Sequence, residues 1–530
     1  MSLITATGFE SATSFESTYA LAYLFEYNEH IDIHPVKDLK LPATTLTTRC
    51  YESMFSSCFH LTKAPDLPAE VLAERCYSKM FYWCHALASA PNLPAETLAN
   101  SCYESMFSGC VGLTAAPNLP AKTLVNSCYE SMFQGCTSLT TAPELPAETL
   151  ANYCYRSMFE GCSGLTATPI LPAKTLVKGC YTKMFSGCEN LNNVICLAID
   201  GISRNQTSSW LENVAWPGVF IEALFESSWL LSNDSGIPAY WTQVPVVPGI
   251  FSVSSTKQVL FALGNLQAKT SNGGSTWTWS FASAQYACIG DAAANTSING
   301  NGTVSADGTV DLFGWVGANS SLPAYGINNN TTDSSYGNVT SEALKSDWGH
   351  NAITYGGNTP DLWRTLSKDE WVWLIGPNSS ATPGTNCRTS STVDGTANAR
   401  FTYATINGPN GTYKGMIVFP DSYTAGTPSG VTWGTINNCS NYTTTCTLVG
   451  WNTLEKAGCV FLPAAGVRNG TSMFDPPSSS NPRGNYWSST SHESNANNAY
   501  SMHFYPDTFN PENNYKRSDG YSVRLVLDVN

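Results

Sequence analysis

Cysteine is the residue type in this chain whose spacing most invites a chemical reading. Twelve of the eighteen cysteines fall on a lattice with a step of 26: Cys50, Cys76, Cys102, Cys128, Cys154 and Cys180 form one series, and Cys58, Cys84, Cys110, Cys136, Cys162 and Cys188 the other. Zinc favours ligands about two to four residues apart, commonly with His among them. Here the two series stand eight apart with no His partner, so a metal is not expected. Disulfides need matched Cα and Cβ geometry that spacing alone does not supply. The simplest reading is a buried column of small apolar thiols, one per unit of a stacked repeat. In the second half, only Cys439 and Cys446 lie close together, in "NNCSNYTTTC". A nucleophilic thiol needs a neighbouring Arg or His to lower its pKa; that loop has neither, so the pair reads as a disulfide or as two bystanders. No Ser/His/Asp order, no phosphate loop and no His/carboxylate metal pattern occurs, and neither catalysis nor a cofactor is expected.

The unit that holds the lattice reads C-Y-x-x-M-F-x-x-C-x-x-L-T-x-A-P-x-L-P-A-x-T-L with small variations. Cys102, Met106, Phe107 and Cys110 sit at helical spacing, predicting a short helix. The Leu113, Ala115, Leu119 segment, punctuated by Pro117 and Pro120, predicts a short strand and a turn. Such a unit cannot bury its own apolar face, so several must stack and the end units must be atypical. Phe25, Asn28, Ile31 and Pro35 repeat Phe55, Cys58, Leu61 and Pro65 at a distance of thirty. Residues 1–45 therefore read as a degenerate N-terminal cap and 46–200 as the ladder, which loses its A-P-x-L-P-A signature after Leu191 and closes near Asp200. Tyr51, Tyr77, Tyr103 and Tyr129 form a further column, read as a packing or surface column rather than a ligand-binding stripe. Residues 201–248 carry Trp210, Leu211, Val214, Trp216, Phe220 and Trp229, too many large apolar groups for a flexible linker, and read as an aromatic capping connector. The "PVVPG" run ending at Gly249 is read as stopping both helix and strand and as marking a domain boundary.

A chain of 530 residues exceeds a single core and predicts two to four domains. Charged residues make up 12% and the formal charge is -14, against a usual charged share of about 25%. With no Lys/Arg cluster, neither nucleic acid nor an anionic membrane is an expected partner. The N-terminal residues lack the basic start and long apolar run of a secretory signal, and no segment reaches the roughly 18 apolar residues of a membrane span. Membrane insertion is therefore not expected. The chain reads as extracellular, through a trimmed signal or through release by another route.

From residue 249 to 530 the texture changes to short strands between Gly/Asn/Ser loops, predicting an α+β domain. One helix stands out: in "LSKDEWVWLIG", Ser367 with Glu370 forms a capping box, and Trp371, Leu374 and Ile375 give one apolar face. Near the end, Tyr500, Met502 and Phe504 alternate with Ser501, His503 and Tyr505, the period of a half-buried strand. Flanking loops are crowded with Asn, His, Tyr and acidic residues, side chains that make adaptable hydrogen bonds on a rigid support. The candidate ligand contacts are His492, Glu493, Asn495, Asn497, Asn498, Ser501, His503, Tyr505, Asp507, Asn510, Asn513, Asn514 and Tyr515. Trp487 and Arg524 read as structural, the first as a core aromatic and the second as a strand residue paired with a carboxylate.

Met-Phe, both Cys and Leu-Pro-Ala recur together through residues 20 to 200, and there the chain resembles the BspA-like leucine-rich repeats of surface proteins of gut anaerobes and their phages. From 251 to 530, "FSVSSTKQVLFALGNLQ", "LWRTLSKDEWVWL", "VFLPAAGVRNG" and "YWSST…GYSVRLV" resemble the C-type-lectin-like domains of bacterial surface proteins and of phage proteins diversified by error-prone reverse transcription. The resemblance implies a multidomain protein, a leucine-rich-repeat solenoid followed by an α+β C-type-lectin-like domain. It also implies adhesion or presentation without catalysis, with the variable binding face on the residues named above. Calcium-dependent lectins carry Glu-Pro-Asn or Gln-Pro-Asp with Trp-Asn-Asp; "NPENN" (510–514) and Trp451-Asn452-Thr453 depart from both, so a calcium site is not expected. Oxidases sharing that fold rely on a reactive cysteine pair, which the Cys439/Cys446 loop does not reproduce. The expectation is an attachment protein, a phage tail or fibre component at the virion surface, whose partner is a cell-surface protein or glycan of a host bacterium. A bacterial surface adhesin and a structural protein contacting other virion or envelope proteins are the alternatives, and oligomerisation is compatible with each.

Overall fold

The computed structural model describes residues 13–31, 40–224, 229–232, 235–271, 276–289, 308–315, 347–377, 387–388, 391–469 and 472–529. Pro35 of the N-terminal match lies outside them. The chain divides into two compact units, Met1–Val244 and Pro245–Asn530. Regular structure is mostly strand, with few helices.

In the first unit the Cys-Met-Phe-Cys stretch is not a helix but a run of overlapping tight turns. Within one unit Cys102, Glu104, Met106, Ser108 and Cys110 each donate their N–H to the carbonyl three residues back, at 3.0 to 3.2 Å. The intervening N–H groups of Ser101, Tyr103, Ser105, Phe107 and Gly109 reach forward to Asn126, Cys128, Glu130, Met132 and Gln134 of the next unit, at 2.7 to 3.1 Å. Every N–H of the stretch is thus satisfied, half internally and half by the neighbour. The turns place a left-handed residue at every fourth position, with φ of 53° at Ser101, 54° at Ser105 and 76° at Gly109, as turns with positive φ at their third residue require. The sequence signal has a period of four. It differs from the helical 3.6 by only about a quarter of a turn over eight residues, so the spacing did not separate them.

Stacking aligns equivalent side chains. Phe25, Phe55, Phe81, Phe107, Phe133, Phe159 and Phe185 form a column with successive centroids 5.5 to 5.7 Å apart. The tyrosines from Tyr51 to Tyr181 form a second, at 5.6 to 6.2 Å, each 1 or 2% exposed, as packing demands. All twelve lattice cysteines are buried and unpaired by disulfides. In the second series each thiol donates to a carbonyl of the preceding unit, as from Cys84 to Phe55 at 3.1 Å and from Cys136 to Phe107 at 3.2 Å. Burial pushes the Cys110 and Cys162 thiols up to about 12, consistent with inert packing groups.

The ladder continues past Asp200. Short parallel strands β1 (Ile170–Leu171), β2 (Asn193–Cys196) and β3 (Val219–Ala223) pair in sequence, and Phe185 and Gly187 donate forward to Trp210 and Glu212 at 2.9 and 2.7 Å. The first part of the connector is therefore one more layer. Loss of the Leu-Pro-Ala signature hid it, because the backbone bonds do not depend on those side chains. Trp210 and Trp229 stack beyond it at 5.3 Å, and the Trp210 indole donates to Gly236 at 2.8 Å. Trp216 is exposed and takes no part in this core.

The proline run lies inside a strand, β4 (Thr242–Ser252), rather than interrupting one. Its antiparallel pairing with β5 (Gln258–Ala262) shifts register between Val246 and Ile250, and the irregularity accommodates Pro248, which has no N–H to give a ladder. In the second unit β4, β5 and β14 (Leu525–Asp528) follow one another in a sheet. Another contains β6 (Phe401–Gly408), β7 (Gly411–Val418) and β8 (Val460–Pro463). The capped helix forms as α1 (Lys368–Ile375), with both halves of the Ser367/Glu370 capping box present and Trp371, Leu374 and Ile375 buried. Ser367→Ala is expected to lower the unfolding free energy by about 1 kcal/mol, measurable by chemical denaturation. A second helix, α2 (Leu448–Lys456), capped by Thr447 and burying Trp451 and Leu454, was not anticipated.

Trp487 is fully buried, donating its indole N–H to Phe313 at 2.6 Å. Arg524 is buried too, but its direct partners are amides: Gln285 Oε1 at 2.7 Å and Asn265 Oδ1 at 3.5 Å. No carboxylate pairs with it directly among the described residues; Glu455 is reached through Gln285, whose amide donates to it at 3.1 Å. A carboxylamide serves because it accepts from the guanidinium with its oxygen while donating to the acid with its nitrogen.

Candidate functional site

Three antiparallel strands carry the candidate face: β11 (Gly484–Ser491), β12 (Asn498–Tyr505) and β13 (Thr508–Lys516). The hairpin β9 (Val467–Asn469) with β10 (Ser472–Phe474) precedes them. On one face Tyr486, Met502, Phe504 and Phe509 join the core with Trp371 and Leu374 of α1. The opposite face is only partly open, contrary to the simple alternation. Ser501 opposes Trp487, is fully buried, and sits beside a register shift against β13, so it cannot touch a ligand.

The remaining contacts fall into two groups towards opposite ends of β12. At its start, the loop 492–497 is held in a definite shape. The His492 ring stacks on Tyr500 at 5.3 Å, and its Nδ1 accepts from the N–H groups of Ser494 and Asn495. Tyr500 donates to Glu493 at 2.6 Å, and Lys368, from the first turn of α1, lies 4.6 Å over the Tyr500 ring and 3.5 Å from Glu493. The phenol's hydrogen bond holds the Glu493 carboxyl below its usual range, while burial and that same contact push the phenol up to about 12. Asn497 N–H donates to Asn495, and Asn498 donates to Asn514 across the strands at 2.9 Å. The Arg517 guanidinium anchors the loop from beneath through the Ala496 carbonyl at 2.9 Å. Glu493, Asn495 and Asn497 are exposed.

At the hairpin end, His503 bonds Asn485 at 2.6 Å. Burial, helped by Arg483, lowers the imidazole to about 4, so it is neutral at physiological pH and serves as a hydrogen-bonding group rather than a charge. Arg483 lies over the Tyr505 ring at 5.6 Å and pairs with Asp475. Asn510, half-buried, is opposite His503 and accepts from the Glu512 N–H. Asp507 is exposed at the turn. Asn513, opposite Ser501 in the middle of β12, is half-buried. Tyr515 belongs to the first group by register, opposite Ala499 at the start of β12; it is 38% exposed, with its ring edge-on to Tyr521, and Phe474 of β10 is 53% exposed.

Sequence reading missed Lys368, Asp475, Arg483, Asn485 and Arg517, and placed Tyr500 with the packing residues. Lys368 comes from a helix far earlier in the chain, and no local pattern marks it. Among the described residues no cluster of His, Cys, Asp and Glu is arranged to hold a metal ion, and no helix is long and apolar enough to cross a membrane. Cys439 and Cys446 form no disulfide. Burial raises both thiols, Cys446 to about 12, the reverse of nucleophile activation.

A family model described as Domain of unknown function (DUF8237) matches residues 451–526. That stretch runs from within α2 to within β14, and so contains the whole β9–β13 face. No curated protein and no solved structure matches the chain.

Proposed function

We propose that this is a non-enzymatic attachment protein of the extracellular space. A BspA-like leucine-rich-repeat solenoid carries an α+β C-type-lectin-like head whose β11–β13 face binds a protein or glycan on a bacterial cell. The reading places it in a phage tail or fibre. The observation that carries it is the 492–497 loop: exposed Glu493, Asn495 and Asn497 are held on a rigid sheet by Tyr500, Lys368 and Arg517. Preorganised polar and aromatic groups of this kind bind with little ordering cost. The resemblances and the acidic, weakly charged composition support the same reading.

The test is flow cytometry of the fluorescently labelled chain against the bacterial community it comes from. The chain is expected to stain a subset of cells, and the triple variant Glu493→Ala/Asn495→Ala/Tyr515→Ala to require at least about tenfold more protein for equal staining. Equal staining by the variant, or no stained cells, overturns the proposal.

A further inference from the structure

The repeated unit supplies its own comparison, because a departure confined to one layer stands out against its sister layers. The last left-handed column of the turn run reads Tyr27, Ser57, Trp83, Gly109, Gly135, Gly161, Gly187 and Asn213. Trp83, at φ 61°, and Tyr27 of the first layer, at φ 58°, place bulky side chains there, in a region that large residues avoid. Burial does not explain the indole, because Trp83 is 46% exposed. The neighbouring column holds Glu26, Ser56, Tyr82, Ser108, Gln134, Glu160, Ser186 and Glu212, and the next but one Glu29, Phe59, His85, Val111, Thr137, Ser163, Glu189 and Ala215. Aromatic rings come to this side from the layers of Tyr27, Phe59 and Tyr82–His85, and not from the glycine layers that follow.

The rings are adjacent: Tyr82 to Trp83 6.0 Å, Trp83 to His85 5.6 Å and His85 to Phe59 5.0 Å between centroids. The next layer leaves room for the indole. A Cβ on Gly109 would come within 2.5 Å of the Trp83 Cδ1. The positive φ belongs to the turn that every layer repeats; what sets this layer apart is a half-exposed indole in ring contact with Tyr82 and His85, and His85 in turn with Phe59.

We infer that Phe59, Trp83 and His85 form a binding platform for a neutral oligosaccharide on the flank of the ladder. The C–H faces of pyranose rings stack on exposed aromatic faces, and the centroid spacings are close to the rise of one sugar along a β-linked chain. Charge supports a neutral ligand. The net charge of -14 repels acidic polymers, and the platform columns carry carboxylates at Glu26, Glu29, Glu160, Glu189 and Glu212 but none in the layers of Phe59 and Trp83, so in those two layers the columns offer no carboxylate to recruit a cation. The ladder would then be a second contact with glycan, separate from the head.

The experiment uses the full chain and an array of neutral hexasaccharides: β-1,4- and β-1,3-linked glucose, β-1,4-linked mannose, xylose and N-acetylglucosamine. The wild type is expected to bind at least one. Trp83→Gly, which adopts the residue of four sister layers, is expected to bind it at least about tenfold more weakly with an unchanged or higher Tm, because glycine relieves the positive φ. Trp83→Tyr should retain most of the binding, as should the head triple variant. The inference is overturned if the wild type binds no array member, if Trp83→Gly binds as well as the wild type, or if Trp83→Gly loses binding together with a fall in Tm, which assigns the indole to packing.

Discussion

Phe107→Ala is expected to lower the unfolding free energy by about 4 kcal/mol, and the equivalent Phe25→Ala by clearly less. Both delete a ring from the same column, so the removed group is the same. Phe107 is fully buried, with stacked rings on both sides at 5.6 and 5.7 Å. Phe25 is only partly buried against the cluster, and among the described residues Phe55 alone stacks on it, at 5.5 Å. The cost of such a deletion combines lost transfer energy with the void left behind. In the middle of the column the void is fixed from both sides by inter-unit N–H bonds of Phe81 and Phe107 to the Met carbonyls of the following units, each 2.9 Å, so it cannot collapse. At the end one wall is free to relax. Urea denaturation of both variants, followed by circular dichroism, measures the difference. Equal costs would mean that the column acts as one cooperative body, insensitive to position.

The two units differ in how much of their structure the sequence discloses. In the ladder, residue identity repeats at a fixed step, so the stacking of Phe, Tyr and Cys columns follows from the step alone. The shape of one unit does not. A helix and a run of type II-like turns both bring Cys102, Met106 and Phe107 to one side, and only the left-handed residues at every fourth position distinguish them. Those positions carry Arg, Ser, Lys or Tyr as well as Gly, so the usual glycine signal is diluted. In the second unit, α1 was legible because its cap and its apolar face lie within one short window. The site was legible as a region but not as a geometry. Asn and His loops mark the candidate stretch, whereas the groups that hold its side chains come from other elements: Lys368 against Tyr500, Arg517 against Ala496 and Asn485 against His503. Ser501 shows the limit of period-two reasoning, because a register shift beside it and the opposing Trp487 bury a residue that alternation assigns to the open face.

Asp519→Asn is expected to stabilise the second unit at pH 8, by on the order of 3 kcal/mol, and to have little effect below about pH 4. Asp519 follows β13, is 7% exposed, and accepts from Asn469 at 2.9 Å. Burial raises its carboxyl to about 6 despite the opposing pull of Lys516 and Arg468, against an ordinary value of about 3.9 in the unfolded chain. The folded state therefore holds this proton more tightly. Stability linked to it is fully present below the unfolded pKa and is lost as pH rises through about 6, where the folded protein carries a poorly solvated charge that the unfolded chain keeps in water. Asparagine removes that charge and retains an oxygen to accept from Asn469. The two groups on the other side of Asp519, the Tyr521 phenol and the Arg468 guanidinium, keep their own charge states across this range: the phenol is raised well above its usual value by burial, and a guanidinium stays protonated. The pH dependence then belongs to Asp519 itself. Thermal unfolding of wild type and variant from pH 3.5 to 8 should give curves that coincide at the acid end and separate between about pH 4 and 7. A separation that is constant with pH would mean that the variant alters packing rather than charge. A variant less stable at pH 8 would mean that the attraction of Lys516 and Arg468 for the carboxylate outweighs its burial.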